Sequence, residues 1–136
     1  MKASEVVYAA HAAWNERAFA ALLNLFVDDL VYWSNMGAHG ETLVRGKPAF
    51  GSFLAPMAGM EGLSVPHSLR FKNDVATASV EFYLRDPRSG HSHAGTFRQV
   101  LTFRGERILR MDEYHDAAAL GTFIALLTSK PSGRVS

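Results

Sequence analysis

Between residues 64 and 116 apolar and polar positions alternate with a period of two, whereas on either side the apolar positions mostly recur at spacings of three and four. The first period is that of strands with one buried face and the second that of helices. Four strand segments follow one another, SVPHSLRFK, DVATASVEFYLRD, HAGTFRQVLTFRG and RILRMDEYHD, joined by Asn73-Asp74, Asp86-Pro-Arg-Ser-Gly90 and Gly105-Glu106. Such short connections predict antiparallel neighbours. Upstream, SEVVYAAHAAWNE sets Val7, Ala10 and Trp14 on one helical face with Ser4 as cap, and AFAALLNLF sets Phe19, Leu22, Leu23 and Phe26 on a second stripe that Asp28-Asp29 end. LVYWSNM, 30–36, is aromatic and β-branched enough for a strand, and MGAHGE supplies a loop. Gly46-Lys-Pro48 opens a third helix with Phe50, Phe53, Leu54 and Met57 on its buried stripe, and Gly59 to Gly62 stop it. Asp116 caps a last helix, about 117–128, on which Leu120, Phe123, Ile124 and Leu127 share a face, and 129–136 form a loose tail.

This order of elements predicts an α+β fold, a curved antiparallel sheet wrapped around N-terminal helices as a cone-shaped barrel, with an extra C-terminal helix. With 136 residues, 48% of them hydrophobic, the chain has the size of a single domain, here 1–136 with its core at about 5–116. Fourteen basic against thirteen acidic residues leave a net charge of +1, which gives no field for steering nucleic acid. The absence of cysteine excludes disulfides and thiolate chemistry, and fits a cytoplasmic location. Glu5 and His11 interrupt the first apolar stretch, so it does not read as a signal peptide, and no run reaches membrane-spanning length. The expected partner is a small molecule with an apolar body, with neither nucleic acid nor membrane involved.

FVDDLVYW entering the first strand, RGKPAF entering the third helix, and VLTFRGERILRMDEYHD closing the sheet resemble the nuclear transport factor 2-like superfamily, and within it the SnoaL-like and ketosteroid-isomerase-related branches. The likeness spans roughly residues 5 to 116 and rests on scaffold motifs. It implies a ligand cavity inside the cone and a homodimer through the outer sheet face. Ketosteroid isomerases use a tyrosine, an aspartate base and a protonated aspartate; the matching positions here are Ala10, Ser34 and Gln99. The resemblance therefore does not carry that mechanism. What it leaves is acid/base chemistry of the polyketide cyclase, isomerase or epoxide hydrolase kind, with no cofactor and no metal, or a ligand-binding or dimerisation module without turnover.

The resemblance also implies which strand parity faces inward: Tyr32, Ser34 and Met36; Ala78, Val80, Phe82 and Leu84; Phe97, Gln99, Leu101 and Phe103; Leu109, Met111, Glu113 and His115. The apolar majority of that set supports the parity independently. Glu113 and His115 are outliers in an apolar wall, and about 7 Å between their Cα atoms favours convergence on a common ligand over a bond to each other. They are the candidate catalytic pair, since desolvation of a carboxylate and the versatility of imidazole both suit proton transfer. Tyr32, Ser34, Gln99, Trp14, Met36, Val80, Phe82, Leu101 and Met111 are the candidate ligand-binding residues. Open alternatives are that Glu113 and His115 are wet or pair with Arg17 or Arg45, that Gln99 satisfies backbone groups, and that Trp14 and Tyr32 are core. His91 and His93 could supply two metal ligands but lack the companions of a site, and read as exposed hairpin residues.

Overall fold

The computed structural model describes residues 1–37 and 39–128; the expected loose tail lies outside the described residues. Helix α1 (Ala3–Asn15) begins one residue ahead of the expected cap, because the Glu5 carboxylate accepts the Lys2 backbone N–H at 2.7 Å. Helix α2 is only Phe19–Leu23. Phe26, expected on its stripe, instead starts strand β1 (Phe26–Ser34), and Asp28 and Asp29 lie within that strand instead of ending the helix. Both aspartates point to solvent and pair with Lys47 at 3.4 Å and Arg104 at 2.9 Å, while Val27 and Leu30 on either side are buried. A register shift against β6 between Phe26 and Val31 accommodates the two consecutive outward residues.

Between the expected loop, 36–41, and the third helix lies an edge strand with no expected counterpart, β2 (Thr42–Arg45), folding back on β1. Helix α3 (Lys47–Leu54) carries proline in its first turn, as the sequence requires, and runs into a 3-10 turn at Ala55–Gly59. Strands β3 (Glu61–Lys72), β4 (Val75–Arg85), β5 (Ser92–Arg104) and β6 (Arg107–His115) form the expected meander. The strand order is β2-β1-β6-β5-β4-β3, so the sheet is curved and open with β2 and β3 at its edges. It is not wholly antiparallel: β1 and β6 run parallel, Ser34 opposite Glu113, because the rest of the chain lies between them and no hairpin dictates their sense.

The inward parity holds along the sheet except at one place. Phe103 pairs with Ile108 and Thr102 with Arg110, so Leu109 is an extra residue on β6, a bulge that turns Ile108 inward. Ile108 is consequently fully buried, and Leu109, expected on the inner face, is only half-buried at the margin of the core. The core lies between α1 and the concave face, where Val6, Val7, Phe26, Leu30 and Leu101 are fully buried. Helix α4 (Ala117–Thr128) is capped by Asp116, whose Oδ1 accepts the Ala119 N–H at 3.2 Å. It docks on its own sheet, burying Leu120 and Phe123 and stacking Phe123 on His93 at 5.6 Å, so His93 is not an exposed hairpin residue. Among the described residues no helix is long and apolar enough to cross a membrane.

Candidate functional site

Between α1, α3, α4 and the concave sheet face lies a cavity of about 510 Å³, within the range of small-molecule sites. Its wall is mostly apolar; a polar cluster is set into it around Glu113, and Asp86 and Arg88, 3.5 Å apart, also line it. Register explains the cluster. Gln99 on β5 is directly opposite Glu113, and Ser34 on β1 is its parallel partner on the other side. Two residues from Ser34, Tyr32 lies on the same face and donates its hydroxyl to Glu113 Oε1 at 2.8 Å. Gln99 donates through Nε2 to Glu113 Oε2 at 3.3 Å, and His115 Nε2 lies 3.3 Å from Oε1. The two outliers on β6 thus contact each other, contrary to the expected convergence on a ligand alone, since both side chains lean along the strand. Tyr32 and Gln99 donate to opposite oxygens, so Glu113 accepts at both, and His115 Nε2 completes the set when it carries the ring hydrogen.

A second layer comes from α1. The other end of the Gln99 amide, Oε1, is 2.9 Å from His11 Nε2, and His11 Nδ1 is 2.7 Å from Ser64 Oγ. Because the amide gives its N–H to the carboxylate, its oxygen must accept from the imidazole; His11 then carries its hydrogen on Nε2 and accepts the Ser64 hydroxyl at Nδ1. Asn15 holds Ser64 in place, accepting the Ser64 N–H at 2.7 Å and donating to its carbonyl at 3.0 Å. Burial pushes the His11 pKa below its usual value, partly opposed by the Gln99 bond and the Glu113 charge, which agrees with the neutral tautomer. Burial, followed by the Glu113 charge and hydrogen bond, holds the Tyr32 hydroxyl well above its ordinary value, so it stays a donor. His115 stacks on Phe97 at 4.4 Å and meets Phe82 edge-on at 5.7 Å. Asn35 pins its backbone with bonds of 2.8 and 3.0 Å, while its Nδ1 is buried without a partner.

Of the residues expected at the site, Glu113, His115, Tyr32, Ser34, Gln99, Trp14, Met36, Phe82 and Met111 all line the cavity. Val80 and Leu101 share the inner face but are fully buried and form no part of the wall. Arg17 does not reach the pair: it lies over the Trp14 ring at 4.7 Å and donates to the carbonyls of Trp14 and Met60. His11, Ser64 and Asn15 escaped the sequence reading. A signal for His11 existed, because it sits beside Val7, Ala10 and Trp14 on the buried face of α1; Ser64, at a strand position like many others, offered none. Among the described residues no three His, Asp or Glu side chains come together as a metal-holding group.

The chain is similar in structure to TerC, crystallised with polyporic acid (TM-score 0.76, 20% identity, 90% of this chain and 98% of that one). It is likewise similar to an LEH-like epoxide hydrolase of M. tuberculosis (0.74, 19%, 92% and 94%). A third similar structure is an NTF2-like protein of unknown function from Burkholderia pseudomallei (0.77, 15%, 93% and 98%). At these identities the likeness is one of fold. No curated protein matches by sequence. The family model of the SnoaL-like domain matches residues 7–111, most of the chain and nearly all of its helix-and-sheet frame. The protein belongs to the SnoaL-like domain family of the nuclear transport factor 2-like superfamily.

Proposed function

We propose that the protein is an acid/base catalyst acting on an apolar, oxygenated small molecule, with Glu113 as proton acceptor and His115 as its partner. The observation that carries this reading is a carboxylate placed on the wall of a mostly apolar cavity and held there by Tyr32, Gln99 and His115. Glu113 Oε2 accepts only the Gln99 bond, so it retains a lone pair for a substrate hydrogen. With its hydrogen on Nε2, 3.3 Å from the other oxygen, His115 donates to the carboxylate and holds it in place while Oε2 takes the substrate proton. Low polarity around the group strengthens every charge interaction made there. Isomerisation, cyclisation and epoxide opening all need such a group, and similar folds include an epoxide hydrolase.

One feature favours a second reading. A carboxylate that already accepts three hydrogen bonds is a weakened base, which suits a cavity that holds a ligand without turnover. 5-Nitrobenzisoxazole decides between the two, since its ring opens when a base removes the C3 proton and the N–O bond breaks, needing no further group. A base in the cavity raises the wild-type kcat/KM above that of Glu113→Gln by about 10² or more. Equal rates for the two proteins would leave only the ligand-holding reading.

A further inference from the structure

The hydrogens of the Glu113 cluster can be followed one by one. Tyr32 gives its hydrogen to Glu113, and Ser34 Oγ, which hydrogen-bonds Tyr32, accepts the Met36 N–H at 3.0 Å. Gln99 gives one amide hydrogen to Glu113, and its nitrogen also lies 3.8 Å from the Met111 sulfur. His11 gives its hydrogen to Gln99 and Ser64 gives its own to His11. His115 directs Nε2 at Glu113, which leaves Nδ1 as a lone pair; that atom is buried without a partner on a side chain only 10% exposed. The cluster around Glu113 is therefore built of acceptors whose donors are already spent; the Trp14 indole N–H lines the wall outside that cluster. No lysine lines the wall, and Arg88 is on an exposed hairpin, engaged with Asp86 at 3.5 Å.

We infer that the cavity selects an apolar molecule whose polar head donates a hydrogen bond, a phenol, alcohol or protonated amine, and rejects carboxylates and other anionic heads. This rests on Glu113 being the polar contact of the site, and it deepens the proposed function by fixing the polarity of what enters. A ketone or ether oxygen would meet the Glu113 oxygens with no hydrogen between them. An anion would in addition bring like charge to a half-buried carboxylate. A hydroxyl or ammonium head supplies the missing hydrogen, and an ammonium also meets the aromatic wall formed by Tyr32, Phe53, Phe82 and Phe97.

Four naphthalenes of nearly equal body test it by calorimetry at pH 7.5: 2-naphthol, 2-naphthylmethylamine, 2-methoxynaphthalene and 2-naphthoate. At least one of the two donors is expected to bind tenfold or more tightly than the ether, with the naphthoate weakest. Tighter binding of the amine than of naphthol would mark charge as the larger contribution, and the reverse order the hydrogen bond alone; both support the inference. In Glu113→Gln the preference for donor over ether is expected to fall below about threefold, in keeping with loss of one charge-assisted bond. The inference is overturned by equal binding of both donors and the ether, by tightest binding of naphthoate through Arg88 or the Trp14 indole, by undiminished preference in the variant, or by no saturable binding of any of the four. The benzisoxazole rates report separately on the base, so a binding preference without a Glu113-dependent rate would remove the catalytic reading and leave this one standing.

Discussion

Acidification should loosen the fold through His11. Burial lowers the pKa of this imidazole in the folded protein, so as the pH falls below about 6.5, the usual value for a free histidine, the unfolded chain takes up a proton that the native site refuses. Stability contributed by the neutral imidazole is therefore complete above that pH and is lost as the pH falls through the folded-state value. One proton sets the steepest slope at about 1.4 kcal/mol per pH unit. A His11→Gln variant isolates this contribution, because whatever else changes with pH is common to both proteins and cancels in the difference. Glutamine can still donate to Gln99, so the variant keeps a fold to measure. Urea unfolding from pH 7.5 to 5.0 should show the wild-type advantage shrinking with acid below pH 6.5, and 15N chemical shifts should show His11 protonated at Nε2 only at pH 7.5. A wild-type advantage that stays constant with pH would refute the placement of His11 as a buried neutral link between Ser64 and Gln99.

Gly62→Ala should destabilise the protein by about 1 to 3 kcal/mol, since an added Cβ would fall 2.6 Å from the Arg17 Nη2 atom and 3.1 Å from the Tyr83 carbonyl oxygen; thermal unfolding of the variant checks this. Phe123→Ala should cost about 3 kcal/mol and raise binding of a hydrophobic dye, because its buried ring fixes α4 against His93; an unchanged melting temperature would mean that the docking of α4 does not stabilise the fold. The outer sheet face exposes Tyr83, Tyr114, Leu63 and Val65, an apolar patch that pairing of two copies would cover. Light scattering at tens of micromolar should give a dimer mass, reduced to that of a monomer by Tyr114→Glu.

The strands that follow one another could be read from the sequence because hairpin turns and a period of two are local signals. The helical faces could be read for the same reason, and Phe50 and Leu54 lie where the spacing put them. What failed depended on distant partners. The parallel sense of β1 and β6 is set by chain segments far apart, β2 is four residues at an edge with little alternation to bury, and the inward turn of Ile108 follows from a single extra residue against β5. The same division runs through the site. Glu113 and His115 stood out because polar residues broke an apolar alternation, but their contact, and the link through His11 and Ser64, required knowing which side chains the sheet and α1 bring face to face.

Glu113 should be the group that meets whatever enters this cavity. A crystal structure with 5-nitrobenzotriazole, in crystals acid enough for the triazole to keep its ring N–H, is the decisive test, because that neutral form has the shape of the benzisoxazole probe and cannot open. The ring nitrogen is expected within about 2.6 to 3.2 Å of a Glu113 carboxylate oxygen, with the ring among Tyr32, Phe53, Phe82 and Phe97. A triazole bound elsewhere, or bound in the cavity with its nitrogens turned to Arg88 and away from Glu113, would contradict it.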